Sequence, residues 1–407
     1  MSRRKYVLLI LILGTLTALA PFSIDMYLPG FPAIAKDLNT SIAHVSLSLT
    51  GFFIGISAGQ LLYGPLLDRF GRKKPLYIGL MVYIASSIYC SMVHDIDTLI
   101  AVRFIQAIGS CAATVASVAM VRDLFPVKDS AKVFALLVLV LGASPMLAPT
   151  IGGYITAAFG WHTIFLVLTG IGVAVLLASI FILPESFKPN TSLSLKPGPI
   201  IRGFWEVFTE PQFYTYTFTG AIAFAGLFAY VSGSPMVFMK VFGLSGKVYG
   251  WVFAFLSIGF IGCSQLNTLL LKKYNSEQLI RVVLICYVLI AVSFCIVTQL
   301  DYLTLPACIV FLLGSLGCVG MTNPNASSMA LAPFSQNAGT ASALMGALQM
   351  GIGAGSSMVI SLFEAPSVKP MATTIACSAV GALLVFTLGK RTIQQKYVGG
   401  DAVVVAH

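Results

Sequence analysis

The chain has 407 residues, of which 57% are hydrophobic and only 9% charged, with a formal net charge of +10. A soluble domain carries roughly 25% charged residues, so this composition excludes a water-soluble fold. The positive charge does not point to nucleic acid either, because it is parcelled into short segments between long apolar runs.

A hydrocarbon core about 30 Å thick takes about 20 apolar residues per helix. Twelve runs of that kind are predicted as spanning helices, near 6–28, 43–66, 75–93, 97–121, 132–157, 163–183, 211–237, 246–270, 279–299, 303–326, 338–363 and 370–389. The first follows Arg3-Arg4-Lys5 and contains Ala18-Leu19-Ala20, which imitates a signal peptide with a small-residue cleavage site. The apolar stretch continues past that point to Leu28, which favours an uncleaved helix. Between the second and third runs lies a basic knot, Gly64-Pro-Leu-Leu-Asp-Arg-Phe-Gly-Arg-Lys-Lys-Pro-Leu76. Such a knot fits where a chain leaves a bilayer, turns in water and goes back in. Gly51, Gly55 and Gly59 stand four apart in the second run, as Gly351 and Gly355 do in the eleventh. That small-residue spacing lets helices approach closely. The fifth run carries Gly142-Ala143-Ser144-Pro145-Met146-Leu147-Ala148-Pro149-Thr150-Ile151-Gly152-Gly153, in which two prolines and a Gly pair imply a bend with freed carbonyls. Weaker irregularities are Ser232-Gly233-Ser234-Pro235 in the seventh run and Asn323-Pro324-Asn325 in the tenth.

Orientation follows from the basic residues. With the N-terminus in the cytoplasm, only Lys36, Lys240, Lys247 and Lys369 fall outside, Arg103 falls inside a span, and the rest of the 24 Lys and Arg face the cytoplasm. The positive-inside rule therefore predicts both termini cytoplasmic. The longest polar connection, 185–210, divides the chain into an N-terminal six-helix bundle (1–184) and a C-terminal one (211–389), followed by a cytoplasmic tail (390–407). The halves share a faint repeat at an offset of about 203–204 residues. Val45, Phe52 and Gly59 map onto Val248, Phe255 and Gly262, and Gly55 onto Gly259. The eight cysteines fall within or at the ends of apolar runs without a Cys-x-x-Cys pair, and the four histidines are scattered. No disulfide framework, zinc site or cofactor is expected.

Two charges stand out within the apolar runs, Asp25 in the first and Arg103 in the fourth. A charge in the bilayer costs about 2.5–3.5 kcal/mol on insertion scales, and so usually has a partner or a function. Asp25 comes late in an outward run and Arg103 early in an inward one, so both belong to the outer half of the membrane. Asp25 either caps the first helix, which Pro29 and Pro32 soon terminate, or binds and releases a proton as access alternates. Arg103 either ties down backbone carbonyls or tunes Asp25. It cannot itself act as the proton carrier, because arginine does not deprotonate.

Three segments resemble motifs of the major facilitator superfamily, and a fourth resemblance is narrower. Gly64, Leu67, Asp68, Arg69, Gly71, Arg72 and Lys73 match its signature loop, and 103–109 is similar to its helix 4 motif with Ala107 in place of a usual Gly. The Pro145–Gly153 segment resembles the helix 5 motif associated with antiporters, with Ala148-Pro149 where Gly-Pro is usual. Asp25-Met26-Tyr27-Leu28-Pro29, Arg122-Asp123-Leu124-Phe125, Leu147-Ala148-Pro149 with Gly152-Gly153, Ser232–Pro235 and Asn323–Ala326 are similar to the bicyclomycin/chloramphenicol-resistance (Bcr/CflA) branch of drug:proton antiporters.

This resemblance implies an all-α, twelve-helix major facilitator fold of two six-helix pseudo-repeats. It implies a monomeric, multi-pass efflux antiporter in the bacterial inner membrane, with a small lipophilic substrate, protons and the lipid bilayer as its partners. The cavity would be lined by helices 1, 4, 7 and 10, with Phe22, Tyr27, Gln106, Tyr230, Ser234 and Asn323 as candidate lining residues. Asp25 and Arg103 would couple protons, and Pro145, Pro149, Gly152 and Gly153 would form the antiporter-type bend. Gly64, Asp68, Arg69, Gly71, Arg72 and Lys73 would form a gate. There, Asp68 is expected to accept from the amides that begin helix 11 (337–340), and Arg69 and Arg72 to pair with Asp123 or Asp129. The alternative within this fold is a proton-coupled transporter of one metabolite, either an exporter or an uptake symporter. An enzyme or a receptor is disfavoured, since no loop offers a catalytic constellation and the tail is too short for an output domain.

Overall fold

In a computed structural model, residues 3–125, 127–189, 196–334, 337–393, 395–398 and 401–404 are described. The apolar runs are helices whose ends follow from local chemistry. The first, α1 (Arg3–Asp25), gives way to a 3-10 turn at Leu28–Gly30 and then to short α2 (Phe31–Asp37). Pro29 and Pro32 stand at the first turns of these two pieces, where a missing N–H is no loss. Ser41 opens α3 (Ile42–Phe70) by accepting from the His44 amide at 3.1 Å. That helix stops at Gly71, whose φ of +82° suits a residue without Cβ. After α4 (Lys73–Cys90), Asp95 caps α5 (Ile96–Leu124), accepting from the Thr98 amide at 2.8 Å. Next, α6 (Val127–Phe159) runs as one helix through Pro145 and Pro149, followed by α7 (His162–Phe181).

The polar connection contains a helix of its own, α8 (Pro197–Phe208), which ends two residues before α9 (Pro211–Pro235). The irregularity expected at Ser232–Pro235 appears one turn later, where Met236–Val241 widen into a π-helix. The chain continues through α10 (Gly246–Leu270), α11 (Ser276–Gln299), α12 (Leu305–Leu331), α13 (Ala338–Ser361) and α14 (Lys369–Gly389). The tail departs from an all-α fold, because β1 (Gln395–Val398) pairs antiparallel with β2 (Asp401–Val404). Val398, Val403 and Val404 with Tyr397 supply the β-branched and aromatic residues that such a ribbon favours.

Among the described residues, ten helical spans are long and apolar enough to cross a membrane. The other two long helices are α4, which opens on Lys73 and Lys74, and α6. Large apolar side chains stand in the open along these helices, among them Met81, Leu166, Phe181, Leu289 and Val310. A belt of this kind would aggregate in water and is matched by hydrocarbon.

The chain forms two units, Met1–Ile200 with Ser245–Ala254, and Ile201–Leu244 with Phe255–His407. In the first, α3 and α5 come so close that a Cβ on Gly55 would sit 2.5 Å from the Phe104 carbonyl oxygen. In the second, a Cβ on Gly259 would sit 2.5 Å from Leu313 Cδ1, between α10 and α12. The repeat-related glycines therefore mark close helix approaches, each inside its own unit. Tyr83 and Tyr287, also repeat-related, are both fully buried. Their hydroxyls bond Ser23 at 2.8 Å and Ser378 at 3.1 Å.

The Gly152-Gly153 pair has a packing role within the first unit. A Cβ on Gly152 would overlap the Met26 carbonyl, and one on Gly153 would sit 2.7 Å from the Gly246 carbonyl oxygen. From the other side, a Cβ on Gly250 would lie 2.9 Å from the Pro149 carbonyl oxygen, and Thr150 Oγ1 donates to Gly250 O at 3.3 Å. Backbone meets backbone where α6 crosses the end of α1 and the start of α10. Overpacking such a contact costs about 1–3 kcal/mol. Gly152→Ala is therefore expected to lower the melting temperature of the detergent-purified protein. Gly170→Ala, with nothing within 4 Å of its new methyl group, is expected to leave it unchanged or raise it.

Candidate functional site

Arg103, on α5, is fully buried and sets the geometry of the first unit's interior. Its Nη2 donates to the Ser23 carbonyl of α1 at 2.8 Å, and its Nη1 donates to Gln106 Oε1 at 2.5 Å. Gln106 in turn donates through Nε2 to Ser87 Oγ of α4 at 2.7 Å. The guanidinium carbon lies 4.2 Å from the Phe52 ring centre on α3 and 4.4 Å from that of Tyr27. Phe165 of α7 completes the cage at 5.8 Å. Desolvated cation–π contacts are worth about 2 kcal/mol or more each, which offsets part of the burial penalty. Tyr27 is held in turn by a 2.6 Å bond to Ser48 Oγ.

Asp25, the last residue of α1, is buried. Among the described residues it has no hydrogen bond and no ion pair within 4.0 Å. The pairing with Arg103 suggested by their similar depth is not formed. The guanidinium's two terminal nitrogens are taken by the Ser23 carbonyl and by Gln106, with aromatic rings beside it. Of the two readings open for Arg103, the tie to a backbone carbonyl is the one present.

The other candidate cavity residues divide into two kinds. Tyr27 and Gln106 are fully enclosed, with their polar atoms engaged in the Arg103 cage. Tyr230 and Ser234 are also buried, Ser234 Oγ donating back to the Val231 carbonyl at 3.1 Å. Phe22 and Asn323 are half-buried, and Asn323 Oδ1 accepts from Gln349 Nε2 of α13 at 3.0 Å. Two residues on, Asn325 donates to Asn267 Oδ1 of α10 at 2.6 Å.

The signature loop is a second built site. Arg72 Nη1 meets Asp68 at 2.7 Å, and its Nε meets Asp123 at the end of α5 at 2.8 Å. The expected partner Asp123 is thus found, whereas the side chain of Asp129 lies outside the described residues. Glu185 follows α7 and accepts from the amides of Arg72 at 2.8 Å and Lys73 at 3.1 Å, where α4 begins. A carboxylate there satisfies free amides and complements the helix dipole. Lys73 Nζ donates to the Leu183 carbonyl at 2.7 Å, Ser186 Oγ donates to Asp123 at 3.0 Å, and the Phe187 ring covers the Arg72 guanidinium at 4.3 Å. Gly71 is needed twice, for its positive φ and because a Cβ there would sit 3.0 Å from the Glu185 carboxylate. The Arg69 guanidinium lies 5.6 Å from the Phe70 ring centre. A Cβ on Gly64 would meet nothing within 4 Å, so packing does not explain that glycine.

Residues 13–358 match the sequence model of the Major Facilitator Superfamily. The chain belongs to this superfamily. A bicyclomycin resistance protein homolog of Haemophilus influenzae is 32% identical over 398 residues, covering 97% of this chain and 99% of that protein. The multidrug resistance protein MdtL of Klebsiella pneumoniae is 28% identical over 386 residues, covering 93% and 95%. The fold is also that of a bacterial homolog to the human lysosomal transporter Spinster, crystallised inward-facing and occupied. That structure has a TM-score of 0.71 at 15% identity and covers 97% of this chain and 98% of its own. Membership of a superfamily of transporters agrees with a transporter rather than an enzyme.

Sequence reasoning missed Glu185, and with it the strap 183–187 that this superfamily member folds over its signature loop. The available signal was Pro184-Glu185 directly after an apolar run, an acid placed to cap a neighbouring helix. Two measurements test these sites. Removing one partner of a largely buried, hydrogen-bonded pair costs about 1–3 kcal/mol, whereas exposed pairs are worth about 0–1 kcal/mol. Asp123→Asn is therefore expected to lower the melting temperature clearly, and Glu206→Gln, in the exposed Arg202–Glu206 pair, hardly at all. Arg103→Lys is expected to destabilise the protein despite keeping the charge. An ammonium lacks the planar fork that reaches Ser23 and Gln106 while stacking on rings.

Proposed function

We propose that this chain is a proton-coupled antiporter that exports small lipophilic compounds from a bacterial cell by alternating access across the inner membrane. The observation that carries this reading is Asp25, a carboxylate buried at the end of a membrane helix with no cation or hydrogen-bond donor engaging it among the described residues. A carboxylate whose charge no partner fixes can bind a proton from one side and release it to the other. The names of the relatives, bicyclomycin resistance and multidrug resistance, support drugs as the exchanged substrate.

In this mechanism Arg103 is a positioning residue. By holding the Ser23 carbonyl it fixes the last turn of α1, two residues before the proton carrier. The Asp68–Arg72–Asp123 cluster under its Glu185 strap acts as the cytoplasmic latch. We read α4 and α6 as spanning, which gives twelve crossings, and the distribution of Lys and Arg as placing both termini in the cytoplasm.

The test uses energised inside-out vesicles in which the pH gradient is followed while lipophilic drugs are added. The expected result is dissipation of the gradient by the wild type and none by Asp25→Asn, with equal amounts of folded protein in both membranes. Pumping by Asp25→Asn at the wild-type rate would place the proton carrier elsewhere. Silence from both would shift the reading to a transporter of one specific metabolite.

A further inference from the structure

The seam between α11 and α14 in the second unit belongs to none of the sites described above. The two helices run antiparallel and are joined at both ends. At one end Cys295 Sγ lies 3.7 Å from Thr373 Oγ1, and Gln299 Nε2 donates to the same oxygen at 3.3 Å. At the other, Glu277 in the first turn of α11 is paired with Lys390, which directly follows α14. The turn that carries Lys390 is pinned in its own right, because Tyr214 Oη donates to Thr392 Oγ1 at 3.1 Å.

Between these joints both helices turn apolar side chains outward. Helical residues fourteen apart share a side to within about 40°. Arg281 therefore lies on the side of Cys295, and Ile285 on the side of Gln299, so both border the seam. On α14, Thr373 begins a stripe that continues through Val380, Leu384 and Leu388 to Arg391. Ile285, Leu289, Val380, Leu384 and Leu388 are all exposed. Two bare apolar stripes thus run toward the same end of the pair, and each finishes on an exposed arginine.

Those arginines keep their charge. Glu277, one turn before Arg281, is engaged by Lys390, and among the described residues neither Arg281 nor Arg391 has an ion pair within 4.0 Å. The internal repeat shows that the fold does not require cations there. At the offset of 204 their counterparts in the first unit are Tyr77 and Phe187. Tyr77 donates to the Ser179 carbonyl at 3.1 Å, and Phe187 covers Arg72.

We propose that the α11–α14 seam binds an anionic phospholipid, with its phosphate between Arg281 and Arg391 and its chains along the two apolar stripes. Arginine forks match phosphate oxygens in geometry as well as charge. Both helices are long and apolar enough to cross a membrane, so their shared end stands at headgroup level. Anionic lipid is the counter-charge available at that level.

The test counts lipid bound to the full-length, detergent-purified protein by native mass spectrometry, with phosphatidylglycerol, phosphatidylcholine or inorganic phosphate titrated in. The expected result is one phosphatidylglycerol per chain, held more tightly than phosphatidylcholine and released by high salt. A basic side chain near an anionic surface is worth about fivefold in affinity. Arg281→Gln and Arg391→Gln are each expected to weaken phosphatidylglycerol binding by about that factor, and the double variant by about 25-fold. Lys272→Gln combined with Lys273→Gln removes the same charge from the turn before α11 and is expected to leave binding unchanged. Melting temperatures without lipid, expected to be equal, show that each variant is folded.

Equal affinity of the double arginine variant and the wild type would overturn the proposal. Phosphatidylcholine bound as tightly as phosphatidylglycerol would refute headgroup recognition and leave only an apolar seam. Displacement of the lipid by inorganic phosphate would assign the arginines to a soluble anion instead. An equal loss in the Lys272 and Lys273 variant would reduce the effect to overall charge and sink the site.

Discussion

A guanidinium without a carboxylate holds the first unit together. Arg103 sits in a helix that crosses hydrocarbon, where an unmet charge costs about 2.5–3.5 kcal/mol even on insertion scales. The unit answers with a backbone carbonyl, a side-chain amide and the faces of Phe52 and Tyr27. These groups come from α1, α3, α5 and the turn after α1, with α4 joined through Gln106 and Ser87. No one of those helices can rotate without exposing part of the cation. Small residues then bring the backbones close enough for the cage to close, as Gly55 does between α3 and α5.

At the opposite end of the same helices the electrostatics are arranged differently. Arg72 meets two carboxylates directly, and a third, Glu185, takes the amides beneath it. The Asp68 side is about half exposed, so water screens that pair and its net contribution is small. The Asp123 side is largely buried, and the strap 183–187 supplies a hydroxyl and an aromatic cover there. The knot is therefore firm on its Asp123 edge and yielding on its Asp68 edge.

Much of this was legible in the sequence. Runs of about 20 apolar residues and the signature loop gave the helices and the family, and the loop's own charges pointed to Asp123. The repeat offset linked Gly55 to Gly259, and both glycines stand at close helix approaches. Other features were hidden for physical reasons. Tyr27 and Gln106 read as cavity residues because a polar group in an apolar run looks the same whether it faces water or a neighbour's carbonyl. Matching depth brought Asp25 and Arg103 together on paper, but depth leaves rotation about the helix axis undetermined, and two residues at one level can face different neighbours. The helix α8 escaped notice because Pro197, Gly198 and Pro199 read as loop, and its apolar stripe emerges only when residues are counted three and four apart. Glu185 was passed over as one acid among linker residues.

The make-up of the Arg103 cage has a bearing on how the first unit behaves from one cellular condition to another. Carbonyl, carboxamide and phenyl groups neither gain nor lose protons as a cell acidifies. A guanidinium balanced by them has no titrating counter-charge in its cage. Had a carboxylate been the counter-charge, each protonation would have loosened the packing of five helices at once. The frame instead behaves as an inert chassis, tied by one backbone carbonyl, one carboxamide and aromatic rings.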